Sequence, residues 1–96
     1  MVKSLHDKIA EKIARKLGTE YKPHKGIDVV KDIVAEVETK QSALQQGLRQ
    51  VVNSQKPRYL AVNKKNIKNA LAVTEGTGVG VMGPTGRIIK KASRKR

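Results

Sequence analysis

The chain has 96 residues, enough for one domain around one small core. It carries 21 Lys and Arg against 8 Asp and Glu, a formal net charge of +13; so large an excess repels itself in the compact state and points to a polyanionic partner. The lack of Cys excludes disulfides, thiolate zinc sites and Cys nucleophiles and fits an intracellular protein, while Tyr21 and Tyr59 are too few aromatics to stack a run of unpaired bases.

Met1–Lys8 lacks the apolar centre of a signal peptide and no apolar run approaches the roughly 18 residues of a membrane span, so a cytoplasmic protein without membrane contact is expected. The first element is a helix from Ser4 to Leu17: Ser4 caps it, Asp7 completes a capping-box pattern, and Leu5, Ile9, Ile13 and Leu17 make one apolar stripe. Gly18 stops it. Thr19 to Pro23 reads as a short strand, broken by Pro23 and His24-Lys25-Gly26. Two β-branched runs follow, Gly26–Val30 and Ile33–Glu38, on either side of Lys31-Asp32, which is a hairpin pattern. In the second run Ile33, Ala35 and Val37 share one face, and Val34, Glu36, Glu38 and Lys40 the other.

A second helix is expected from Ser42, as cap, to Ser54, with Leu44, Leu48, Val51 and Val52 buried and Gly47 beside them for close packing. Arg58–Val62 is an internal strand, since its centre is apolar throughout. Asn63 or Asn66 caps a third helix reaching Val73, with Ile67, Ala70 and Leu71 inward. Val79–Met82 is a short strand, Gly83–Gly86 a turn, and Arg87–Lys90 an edge strand. The order α-β-β-β-α-β-α-β-β describes an α/β domain: a mixed sheet of four to five strands flanked by two to three helices. Residues 1–90 form the single domain and 91–96 a basic, solvated tail.

Charge is unevenly spread. Residues 1–38 hold eight cations and seven acids; residues 39–96 hold thirteen cations and one acid, Glu75. Carboxylates beside a phosphate backbone weaken an electrostatic binder, so acids kept together in such a chain need another reason. Asp28, Glu36, Glu38 and Lys40 form the informative group. A hard divalent cation lowers the pKa of bound water, neutralises transition-state charge and orients a phosphate; Mg²⁺ keeps several waters, so two or three carboxylates place it, and a neighbouring Lys assists the water. Geometry sets a condition: Asp28 joins Glu36 and Glu38 only if the hairpin pairs residues whose numbers sum to an even value, such as 28 with 36, which requires a three-residue or bulged connection involving Ile33 rather than a two-residue turn. Alternating apolar and acidic residues are also what a half-solvated strand produces.

Together, Gly26–Val30, Ile33–Lys40 and Ser42–Gln50, followed by the strands at Arg58–Val62 and Gly78–Met82, resemble the PD-(D/E)XK nuclease superfamily, the restriction-endonuclease-like fold that includes archaeal Holliday-junction resolvases; the similarity spans about residues 5–90. The resemblance implies a restriction-endonuclease-like core, Asp28 as metal-binding Asp, and Mg²⁺ or Mn²⁺ as cofactor. Ile27 stands where the family has its Pro. The Glu-x-Lys element reads in two frames: Glu38-Thr39-Lys40 literally, or Glu36-Val37-Glu38 with Glu in place of Lys, which suits the spacing to the next helix and leaves Lys40 as a displaced lysine. The resulting expectation is that Asp28, Glu36 and Glu38 hold the metal and Lys40 is the fourth catalytic residue, assisting the water. An extra acid from the first helix is common in relatives; Glu11 lies opposite the apolar stripe, which leaves Glu20, with Gln50 reaching in from the second helix. Relatives often act as dimers, and a small core is consistent with a homodimer.

His6 and His24 recur with no acid or Cys at zinc spacing and read as ordinary surface or semi-buried histidines. Gly78–Gly83 matches a dinucleotide fingerprint by letters, yet Pro84 and a turn follow where a helix should open. Arg49, Lys64, Lys65 and Lys68, with Arg87, Lys90, Lys91, Arg94, Lys95 and Arg96, are the expected phosphate contacts. The reading is a DNA-binding, metal-dependent endonuclease, with branched DNA the natural substrate of a resolvase-like dimer; RNA remains open as the nucleic acid. The alternative is a non-catalytic basic nucleic-acid-binding protein with a degenerate site.

Overall fold

The computed structural model describes residues 4–21 and 27–93. Its elements are α1 (Leu5–Leu17), β1 (Val29–Val30), β2 (Val34–Glu38), a 3-10 turn (Gln41–Ala43) leading into α2 (Leu44–Val51), β3 (Arg58–Val62), a second 3-10 turn (Lys64–Asn66) leading into α3 (Ile67–Thr74), β4 (Gly80–Met82) and β5 (Ile88–Lys90). One mixed five-stranded sheet runs in sequence order, β1-β2-β3-β4-β5. The outer pairs, β1 with β2 and β4 with β5, are antiparallel, and the central pairs are parallel. No described helix is long and apolar enough to cross a membrane.

Strand alternation divides the core into two layers. Ala35 and Val37 of β2, Tyr59 and Ala61 of β3 and Met82 of β4 face α1, where Ile9, Ala10, Ile13 and Ala14 meet them. Val34, Leu60, Val62 and Val81 face the other way, onto Leu44, Leu48 and Val51 of α2 and Ala70 of α3. β3 lies at the centre with both faces covered, which is why its five residues carry no alternation of polarity. Fully burying side chains such as Ile13 and Leu60 stabilises the fold by roughly 1.5–3 kcal/mol each.

α1 begins as its sequence dictates. Ser4 Oγ accepts from the Asp7 amide at 3.1 Å, and Gly18 ends the helix at φ 76°, with its amide and that of Thr19 returned to the last carbonyls. Other expectations need correction. Thr19–Tyr21 form no strand, and Lys22 and Pro23 lie outside the described residues, as do His24 and Gly26. Ser42 does not cap α2: it sits inside the 3-10 turn, and neither α2 nor α3 has a side-chain cap. α2 ends at Val51 rather than Ser54. Asn66 stands at the N-cap position of α3, as expected, but its buried side chain makes no capping bond, its amide donating to the Thr39 carbonyl at 3.1 Å and to Asn63 Oδ1 at 2.7 Å. That side chain ties together the two junctions where β2 and β3 give way to their helices.

Beyond the edge strand the chain keeps to the sheet. The Ser93 amide donates to the Gly78 carbonyl at 3.0 Å and Ala92 packs on the α1-side core. Gly80 permits this: a Cβ there would lie 2.4 Å from the Lys90 carbonyl oxygen and 2.6 Å from the Ala92 nitrogen. Arg94–Arg96 lie outside the described residues.

Candidate functional site

The register of the first hairpin brings Asp28 and Glu36 together. Val29 pairs with Ala35 and Val30 with Val34, so the paired numbers sum to an even value and the connection is the three residues Lys31-Asp32-Ile33. Continued by one residue, the count sets Asp28 opposite Glu36. Glu36 and Glu38 pair with Leu60 and Val62 of β3 and share their face, the side covered by α2 and α3.

Because β1 is only two residues long, it leaves the Val37 amide of β2 without a strand partner. Asp28 supplies one: its Oδ2 accepts from Val37 N at 2.9 Å, while Glu36 Oε1 accepts from the Asp28 amide at 3.1 Å. Each acid thus satisfies a backbone N–H of the other strand, and both are only 8 % exposed. Glu38, at the end of β2, is half-buried and lies across α2 at Gly47, where a Cβ would come within 2.6 Å of its Cγ and 2.9 Å of its Oε2. Gly47 is therefore the close-packing glycine expected from its place beside the apolar stripe, and what it admits is the glutamate.

One nitrogen of His6, on α1, reaches the cluster at Asp28. His6 Nε2 lies 3.0 Å from Asp28 Oδ2, and Nδ1 lies 3.5 Å from Asp7 Oδ1 and 3.4 Å from the Tyr21 hydroxyl, which itself donates to Asp7 at 2.9 Å. His6 is semi-buried, within the expected range, but its bond to Asp28 was not foreseen. No motif could have flagged it, since its partner is 22 residues away and the meeting is made by packing α1 on the sheet.

Crowding perturbs these groups. Burial, and then the Asp28 charge, push the Glu36 carboxyl up to about 8, against the pull of the Asp28 N–H. Glu38 is also raised, by burial first and by Asp28, with His6 opposing. The Tyr21 hydroxyl is raised by burial and its bond to Asp7, and the same bond lowers Asp7. Among the described residues no Lys or Arg pairs with Asp28, Glu36 or Glu38, and no three His, Asp or Glu side chains converge as a preformed ion cage. The donor chemistry, however, suits a hard divalent cation: the Asp28 charge raises the proton affinity of both Glu36 and Glu38, a repulsion that bound positive charge would relieve.

The remaining expected residues divide. Lys40 is exposed at the mouth of a hollow between the starts of α2 and α3, together with Lys65. Arg49, Lys64, Lys68, Arg87 and Lys91 are exposed. Lys90 is half-buried and donates to Thr74 Oγ1 at 2.7 Å, so its ammonium is engaged inside the domain. Glu20 is exposed and lines a separate depression with Glu11, Arg15 and Tyr21; Gln50 is exposed on α2; neither joins the acids. Arg94, Lys95 and Arg96 lie outside the described residues.

No family model, curated protein or solved structure matches this chain.

Proposed function

We propose that this domain binds DNA through its basic half and hydrolyses phosphodiester bonds at the Asp28–Glu36–Glu38 cluster with Mg²⁺ or Mn²⁺. The observation that carries the reading is the even-sum register, which sets Asp28 opposite Glu36, with Glu38 next along the Glu36 face, in a +13 protein. The restriction-endonuclease-like resemblance gives the same assignment, and the parallel β2–α2–β3 passage that follows the hairpin is compatible with it.

Asp28, Glu36 and Glu38 would hold the cation. When bound, it lowers the pKa of a coordinated water, neutralises charge on the phosphorane-like transition state and orients the phosphate. The chain's own residues do the rest. The Val37 and Asp28 amides fix two of the carboxylates, His6 holds Asp28 from the side of α1, and Gly47 lets Glu38 lie against α2. Lys40 supplies positive charge to the scissile phosphate. Hydrolysis forms one P–O bond from water, breaks the P–O bond to the leaving sugar and returns a proton to that oxygen. A pair of such domains, in the cytoplasm, would present two centres to the two strands of one duplex.

A second reading is favoured by a specific feature: one oxygen of Asp28 and one of Glu36 are already bound to backbone amides. A cluster whose work is to close the end of a short hairpin serves a non-catalytic DNA-binding protein equally well. Incubating plasmid and branched DNA with wild type and Asp28→Ala, in Mg²⁺ and in Mn²⁺, separates the two. Nicking that disappears in the variant supports catalysis; equal activity in both proteins removes the assignment, and binding without cleavage leaves the second reading.

A further inference from the structure

At the carboxyl ends of the parallel strands β2 and β3 lies a hollow of about 820 Å³, walled by Lys40, Gln41, Ser42, Gln45, Lys65 and Asn66 above the Thr39 backbone. Among the described residues no acid and no apolar side chain lines it. Its floor is fixed, because the buried Asn66 amide bonds Thr39 on one junction and Asn63 on the other. Its two lysines are also distinct from several others in the protein. Lys16, Lys31, Lys56 and Lys90 each donate to an oxygen of the fold, whereas Lys40 and Lys65, with neighbouring Lys64 and Lys68, make no side-chain hydrogen bond among the described residues. A fixed polar floor carrying uncommitted point charges is suited to phosphate oxygens, which accept from ammonium, hydroxyl and amide donors alike.

Two features select the kind of phosphate. Exposed Lys64 sits in the same 3-10 turn as Lys65, and exposed Lys68 on α3 and Arg49 on α2 add positive charge on the two helices that start at the hollow, more than a single phosphate needs. No aromatic ring is available to stack unpaired bases, since Tyr59 is buried and Tyr21 is bonded to Asp7. We propose that this hollow seats the sugar–phosphate backbone of a duplex, with Lys40 and Lys65 as its ionic contacts and Ser42, Gln41 and Gln45 as hydrogen-bonding partners. The inference deepens the nucleic-acid reading given above, naming where the backbone enters, and Thr39 and Lys40 join the hollow directly to Glu38 and the acid cluster.

The test is binding without chemistry. A fluorescein-labelled 20-base-pair duplex and the corresponding single strand are titrated with protein in EDTA over a salt series, by anisotropy, using wild type, Lys40→Gln/Lys65→Gln, and a charge-matched control, Lys8→Gln/Lys12→Gln, on the exposed side of α1. Each phosphate contact contributes about 0.9 to the slope of log affinity against log salt, so the hollow variant should lose about 1.8 of slope and roughly ten- to a hundred-fold in affinity at low salt, with the control losing far less. Amide shifts of the unmutated protein on adding the duplex should concentrate at 39–45 and 63–68. Equal losses in the two variants, shifts elsewhere, or tighter binding of the single strand would overturn the proposal. Because EDTA excludes hydrolysis, failure of the nuclease reading shows separately, as bound but uncut DNA when Mg²⁺ is restored.

Discussion

The contact between Glu38 and Gly47 makes a sharp test of how the acid cluster is held. Gly47→Ala places a methyl 2.6 Å from Glu38 Cγ, 2.9 Å from its Oε2 and 3.0 Å from Leu60 Cδ1. Overpacking of that order costs roughly 1–3 kcal/mol, while replacing Gly by Ala inside a helix returns about 1 kcal/mol, so the single variant should lose roughly 0–2 kcal/mol. Glu38→Ala removes the two closest atoms and leaves only the Leu60 methyl, which can rotate away. In that background Gly47→Ala should be stabilising by about 1 kcal/mol, giving a coupling energy of roughly 1–3 kcal/mol between the two positions. Urea unfolding of the four proteins measures it. Additivity within about 0.3–0.5 kcal/mol would refute the argument that α2 is notched for this glutamate.

Three further outcomes follow from the same geometry. Glu36 holds a proton in the folded chain up to about pH 8 and loses it near its ordinary 4.5 when unfolded, so this group's contribution makes stability fall as pH rises between those values, by no more than about 1.4 kcal/mol per pH unit; Glu36→Gln should flatten that span, and superimposable profiles of variant and wild type would dismiss the perturbed carboxyl. His6→Ala removes the bond to Asp28 Oδ2 and should cost roughly 1–2 kcal/mol by thermal or urea unfolding while shifting the Val37 amide resonance; an unmoved Val37 signal would show that His6 does not position Asp28. Gly80→Ala drives a methyl into the Lys90 carbonyl, the Tyr59 ring and the Ala92 nitrogen, so the 91–93 segment should detach and its amides exchange freely with solvent; retained protection at Ser93 would contradict the packing.

The elements were largely legible in the chain because each rests on local chemistry. The four-residue spacing of Leu5, Ile9, Ile13 and Leu17, bounded by Ser4 and Gly18, specifies α1 with little help from the rest of the molecule. The unbroken apolar centre of Arg58–Val62 announces a strand covered on both faces. The parity of the hairpin was legible as a condition, since only an even sum unites Asp28 with Glu36, and the three-residue connection meets it. Local rules failed at the helix starts: Ser42, Asn63 and Asn66 are good caps by type, but 3-10 turns precede both helices and Asn66 is spent on binding two junctions together.

Composition and periodicity, then, determined an α/β domain, its two apolar layers and a concentration of acids in an otherwise basic chain. Tertiary structure decided what those acids touch. His6 meets Asp28 only because α1 packs across the sheet, Glu38 finds its place only because α2 crosses at Gly47, and Lys40 and Lys65 border one hollow only because β2 and β3 are parallel neighbours ending at the same level. Spacing along a chain encodes which face a side chain takes within its own helix or strand; which faces then meet is settled by the packing of elements far apart in sequence, and the chemistry of this site lies at those meetings.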